Sequence, residues 1–137
     1  MRGLALVAAF FLAMAGAARA EEESLTLELN KLEANDQACR AYLVLENRVQ
    51  RAFEALKLDL VMFDPDGVVA KRLALEVAPL PAGKTRLKVF NISGLPCERV
   101  GRMLLNDVLT CEDSAGARDD CLALISTSAR DGLSFIK

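Results

Sequence analysis

The sequence predicts an all-β fold: an antiparallel β-sandwich of about seven short strands held by two disulfides. Three observations carry this. Apolar and polar residues alternate with period two in run after run, as in strands with one buried face. Clusters of Gly, Pro, Asn and Asp separate the runs and mark turns. Four cysteines, Cys39, Cys97, Cys111 and Cys121, stand in a small chain that begins with an export signal, where an even count reads as two bridges.

The opening stretch "MRGLALVAAFFLAMAGAARA" carries one early charge, Arg2, then an uncharged apolar core from Gly3 to Ala18. It closes on Ala18-Arg19-Ala20, an A-x-A-like site, and "EEE" comes at once after it. This is the pattern of a cleavable secretory signal peptide over residues 1–20. Its apolar run is short for a transmembrane anchor, and no later stretch is long and apolar enough to span a bilayer. The small-residue-rich signal is of a bacterial kind, which places residues 21–137 in the periplasm or outside the cell as one domain. Removing Arg2 and Arg19 takes 17 basic residues to 15 against 19 acidic ones, a formal charge of −4. That mild acidity argues against nucleic acid and anionic lipid as partners, since both require a basic face.

The elements are taken in chain order. In "SLTLELNKLE", Leu25, Leu27 and Leu29 share one face, and Thr26, Glu28 and Asn30 the other. "ANDQA" is a turn. "CRAYLVLEN" sets Cys39, Ala41, Leu43 and Leu45 against Arg40, Tyr42, Val44 and Glu46. "NRVQRAFEA" reads as a loop that dips Phe53 into the core. "LKLDLVMF" puts Leu56, Leu58, Leu60 and Met62 on one face, with Lys57, Asp59, Val61 and Phe63 opposite. "VVAKRLALEV" and "TRLKVFNI" are further strands, joined by "APLPAGK", whose prolines and glycine suit a connection. "CERVGRMLLNDVLTC" is ambiguous. Val100, Leu104 and Val108 fall at helical spacing, whereas Met103, Leu105 and Leu109 fall at strand spacing. Its strand neighbours favour a sixth strand. "EDSAGARDD" is a polar loop from Glu112 to Asp120, "CLALIST" a last strand, and "SARDGLSFIK" a short added strand or a tail. The apolar end of "GLSFIK" either completes the chain's own sheet or offers a strand to a partner.

Short strands with regular turn signals point to a sandwich of the immunoglobulin or fibronectin type III sort. If strands alternate in direction, the second strand, from Cys39, and the sixth, from Cys97, start at the same end. Cys111 and Cys121 then meet at the opposite end. The expected pairs are Cys39–Cys97 and Cys111–Cys121. The spacings of 58, 14 and 10 contain no C-x-x-C, which speaks against a zinc site and a thioredoxin-like redox motif.

The chain has no histidine and no tryptophan. Serine–histidine and cysteine–histidine nucleophilic chemistry are excluded, as are metal sites built on imidazole. No catalytic residue, cofactor or metal is expected.

The segment Asp64-Pro65-Asp66-Gly67 could offer two carboxylates to a metal or a proton. The EF-hand pattern requires a further oxygen ligand where Val68 stands and a glutamate where Leu75 stands. Turn chemistry accounts for it instead: Pro65 presets φ, the aspartates bond local amides, and Gly67 takes a positive φ.

The stretch "LDLVMFDPDGVVAKRLALEVAPLPAGKTRLKVF" resembles the FxLYD-type domain of secreted bacterial proteins. Phe63-Asp64 matches the aromatic-Asp pair, Gly67 the turn glycine, Leu80 to Gly83 the Leu-Pro-x-Gly connection, and Phe90 the strand phenylalanine. Asn47 fits an asparagine often found where the second strand ends. The resemblance covers roughly Tyr42 to Ile92. It implies export, a fibronectin-like sandwich and a binding or structural role, with no catalytic residue.

The most site-like surface is the loop with Glu112, Asp113, Arg118, Asp119 and Asp120, braced by a disulfide at the end of the sandwich, where such folds bind partners. Arg48, Arg51, Arg99 and Arg102 would make a basic spot if the fold gathered them. The expected function is a non-catalytic module that contacts a protein of the cell envelope, as an accessory or stabilising subunit or an inhibitor. The alternatives are a small-ligand or calcium-dependent glycan-binding module and, less favoured, a carboxylate-only hydrolase.

Overall fold

A computed structural model describes Gly16 and residues 23–137. The predicted signal peptide, Gly16 apart, and its cleavage point lie outside the described residues. The described residues form an all-β structure with two sheets and two disulfides.

Nine strands occur among the described residues: β1 (Leu25–Asn35), β2 (Ala38–Asn47), β3 (Phe53–Phe63), β4 (Val69–Glu76), β5 (Thr85–Ile92), β6 (Arg102–Asp113), β7 (Gly116–Ala117), β8 (Ile125–Ala129) and β9 (Phe135–Ile136). The count exceeds seven because β7 and β9 are two-residue stubs paired to opposite ends of β6. One sheet runs β5-β2-β1-β8 and the other β4-β3-β6-β7, with β9 also on β6. The chain alternates between layers, which buries the apolar face of each against the other.

The sandwich is not wholly antiparallel. β8 runs parallel to β1, and β9 parallel to β6. The cause lies in the reversals. β6 ends beside the end of the sandwich where β1 begins, so β8 starts from that end and runs with β1. The turn after β8 then sends β9 back along β6.

The period-two pattern fills the core. Leu25, Leu27 and Leu29 of β1 meet Leu43 and Leu45 of β2 and Leu56, Leu58, Leu60 and Met62 of β3, all buried. Two such faces, each nearly continuous leucine, give the main driving force for folding.

Several local expectations are corrected. Phe53 is not a loop residue dipping inward. It opens β3, exchanging backbone hydrogen bonds with Leu80 at 2.9 and 3.0 Å, and its ring is buried. Cys97 begins a 3-10 turn (Cys97–Arg99), and the sixth strand starts only at Arg102. Cys121 begins a single helical turn, α1 (Cys121–Leu124), and β8 runs on from Ile125. The disulfide holds Cys121 beside Cys111, and the amide of Leu124 closes the turn on the carbonyl of Asp120 at 3.2 Å.

β6 also explains its own ambiguous pattern. Its register against β3 slips where Leu109 and Asn106 are the extra residues, opposite the steps Lys57/Leu58 and Asp59/Leu60. A bulge inverts the facing of the residues beyond it. Met103, Leu105 and Cys111 still point inward, while Leu109 is turned out to solvent.

Candidate functional site

Asp64-Pro65-Asp66-Gly67 forms the turn between β3 and β4. Asp64 Oδ1 accepts from the amides of Asp66 and Val68 at 2.9 and 3.0 Å. The amide of Gly67 donates to the Asp64 carbonyl at 2.9 Å, with Gly67 at φ 81°. Arg99 approaches Asp64 Oδ2 at 3.5 Å. The Asp64 carboxylate is thus engaged by the turn itself. Among the described residues no group of three or more Cys, Asp or Glu is placed to hold a metal ion.

The predicted loop Glu112–Asp120 is largely a hairpin. Glu112 and Asp113 are the last residues of β6, and Gly116–Ala117 returns as β7. Asp113 is no surface charge: it is 3 % exposed. Its Oδ1 accepts from the amide of Ala115 at 2.8 Å. Its Oδ2 accepts from Arg51 Nη1 at 3.3 Å and Arg118 Nη1 at 3.4 Å. The Ala115 amide, with the two arginines, holds the carboxyl below its ordinary pKa. Arg118 also forks onto Asp120 at 3.0 and 2.9 Å, which lowers the Asp120 pKa and raises that of Arg118. The same guanidinium lies 5.6 Å from the centre of the Phe53 ring. Only Glu112, Asp119 and Asp120 remain exposed of the five predicted contact residues.

The four arginines do not gather. Arg51 reaches Asp113, Arg48 pairs with Glu46, Arg99 reaches Asp64, and Arg102 lies over the Phe63 ring. Arg48 and Arg51 come after the end of β2, whereas Arg99 and Arg102 precede and open β6, at the opposite end of the sandwich.

Cys39 is bridged to Cys97 and Cys111 to Cys121, and no cysteine is free. Two disulfides suit an oxidising compartment.

Sequence reasoning gave no bonding role to two buried polar residues. Asp59, on the outward face of β3, receives Arg72 Nε at 2.8 Å, Arg72 Nη2 at 2.7 Å and Asn106 Nδ2 at 2.8 Å. Arg72, then Asn106, pull its pKa down to about 2. Asn47 donates to the carbonyls of Arg51, Leu80 and Pro81 at 3.1, 3.2 and 3.2 Å, and its Oδ1 accepts from the amide of Val49 at 2.9 Å. An acid amid a strand was a visible signal for Asp59. The alternating pattern alone gave none for its partners.

What these groups leave open is the strand edges. Leu87 and Val89 on β5 are 59 % and 41 % exposed, and Val69 on β4 and Leu109 on β6 are likewise out. β5 and β4 each end a sheet.

No family model matches the chain, and no curated protein matches it. A solved structure of IrmA from Escherichia coli is similar in fold, with a TM-score of 0.56 at 12 % sequence identity, over 77 % of this chain and 92 % of that one. The likeness is one of fold. No helix among the described residues is long and apolar enough to cross a membrane.

Proposed function

We propose that this chain is a non-catalytic, exported sandwich domain that works by protein–protein contact in the bacterial cell envelope, as an accessory or stabilising subunit or an inhibitor. The observation that carries the reading is the pair Leu87 and Val89, large apolar side chains held out on an open edge strand. Exposed apolar groups grouped on one surface mark contact sites. The charged clusters, by contrast, are spent on structure: Asp59, Asp64 and Asp113 each hold a strand or a turn.

The domain is of the immunoglobulin or fibronectin type III kind, and the FxLYD-type resemblance belongs with it. In support, β2 pairs β5 in one sheet and β3 pairs β6 in the other, the interleaving of a Greek-key sandwich. Residues 1–20 act as a cleaved signal, and the two disulfides fit delivery to the periplasm or beyond. The hairpin Glu112–Asp120 is a lesser contact in this reading, since Asp113 and Arg118 are committed to each other.

Chemical cross-linking in native envelope tests it, using C-terminally tagged mature protein beside a Leu87→Ser/Val89→Ser variant of unchanged melting temperature. A reproducible partner captured by the native protein and lost in the variant supports the reading. No partner for either protein overturns it.

A further inference from the structure

Among the described residues β5 has β2 on one side and no strand on the other. Its free side presents a row of backbone N–H and C=O groups to any extended chain. The register with β2 sorts its side chains. Leu87 and Val89 share the outer face with Val44 and Tyr42. Arg86 and Lys88 lie opposite Leu45 and Leu43, on the face turned toward the other sheet. Lys71 of β4 lies opposite the core residue Met62, so it borders the same interlayer space. Lys84 stands just before β5.

None of Lys71, Lys84, Arg86 and Lys88 has an ion-pair partner among the described residues. From Val69 to Ile92 the chain holds five basic residues and one acidic, Glu76, although the whole sequence carries net −2. Arg72 alone of the five is paired, with Asp59. One sheet edge thus joins an open hydrogen-bonding ladder, an apolar outer stripe and an unneutralised basic inner stripe.

We propose that the β5 edge receives an extended segment of a partner protein that carries carboxylates at every second position and apolar residues between them. This rests on the protein-contact function above and names its edge and the chemistry of the partner. Laid along β5, such a segment continues the ladder. Its carboxylates fall beside Arg86 and Lys88, and its apolar groups extend the Leu87–Val89 stripe. A second copy of β5 fits poorly: antiparallel pairing that keeps both inner faces on one side sets cation against cation. A polyanion without a peptide backbone leaves the ladder and the apolar stripe unused.

The test uses the mature protein with both disulfides intact and a labelled peptide of alternating Glu and Val, eight residues long like β5. The comparison probes are a Lys–Val peptide, the Glu–Val peptide N-methylated at alternate amides in both phases, and heparin. Anisotropy reports binding, and amide exchange reports where. The Glu–Val peptide binds, the Lys–Val peptide does not, and one phase of N-methylation weakens binding by about tenfold, the loss of roughly one or two hydrogen bonds. Protection from exchange appears in β5. Arg86→Glu/Lys88→Glu reverses the preference toward the Lys–Val peptide, and if that variant melts lower, Arg86→Gln/Lys88→Gln shows the same loss for Glu–Val. Failure of the Glu–Val peptide to bind overturns the proposal, as does binding that survives both phases of N-methylation or protection that falls elsewhere. Binding of heparin without the peptide overturns it in favour of a polyanion. A partner cross-linked in the envelope while the Glu–Val peptide fails leaves the protein-contact function standing and removes only strand addition by an acidic segment along β5.

Discussion

Asp59 and Arg72 clasp one another across β3 and β4 through two near-parallel hydrogen bonds, Nε to Oδ1 at 2.8 Å and Nη2 to Oδ2 at 2.7 Å. The carboxylate is 3 % exposed while its partner's side chain stays largely in solvent. Two-pronged pairs of this geometry are the strong members of their class.

The first prediction comes from the depressed pKa of Asp59, about 2 against an ordinary 3.8. A lowered folded-state pKa contributes stability above the unfolded value, and that stability is lost as pH falls through the folded one. The window is therefore about pH 4 down to about pH 2. After screening by solvent at Arg72, the contribution is about 1 kcal/mol. Melting temperature measured from pH 5 to pH 2 should fall more steeply for the native protein than for Asp59→Asn. Parallel curves would sink the assignment.

Asn47 supports a second prediction. Its amide ties three carbonyls from two separate segments, Arg51 on one side and Leu80 and Pro81 on the other. Asn47→Ala takes the partner from the Arg51 carbonyl and the Val49 amide, while the Leu80 and Pro81 carbonyls keep backbone donors in Phe53 and Lys84. The cost is about 2 kcal/mol, since two groups lose their partner at about 1 kcal/mol each. Urea denaturation measures it. A loss below about 1 kcal/mol would mean that water replaces the side chain.

The strands were legible where the sequence keeps strict period two. Leu25 to Leu29 and Cys39 to Leu45 give away the buried face because each inward residue is apolar and each neighbour, Val44 apart, is polar. β6 was not legible in the same way. Its extra residues, Asn106 and Leu109, are set by register against β3, and register is a property of two strands, not of one. The Glu112–Asp120 segment looked like a loop because its charges are dense. Burial of Asp113 arises from Arg51, 62 residues away, which no local pattern displays. The chemistry of the β5 edge was equally hidden: Arg86 and Lys88 look like the polar face of a strand, yet their register turns them toward the other sheet.

The disulfides yield a third prediction. Cys39–Cys97 closes a separation of 58 residues and Cys111–Cys121 one of 10. Cross-linking removes more entropy from the unfolded chain when the loop is longer, about 4 kcal/mol for the first and about 3 kcal/mol for the second. Cys39→Ala/Cys97→Ala should lower stability more than Cys111→Ala/Cys121→Ala in chemical denaturation. The reverse order would show that the short bridge acts by positioning the hairpin and α1.

The fourth prediction concerns Gly101, which precedes β6 and donates its amide to the Phe63 carbonyl at 2.7 Å. A Cβ there would sit 2.5 Å from the Asp64 carbonyl oxygen and 2.9 Å from the Pro65 nitrogen. Both are backbone atoms of the β3–β4 turn, so no side chain can swing aside. Gly101→Ala must push the turn away from β6, at about 2 kcal/mol for a forced backbone shift. Gly67→Ala strains the same turn differently: nothing stands near its Cβ, and only the φ of 81° resists. That costs about 1 kcal/mol. Thermal denaturation should therefore place Gly101→Ala below Gly67→Ala, although Gly67 is the glycine that the sequence marks as the turn residue. If the order is reversed, the turn is free to move off β6, and its role as a fixed corner of the sandwich is lost.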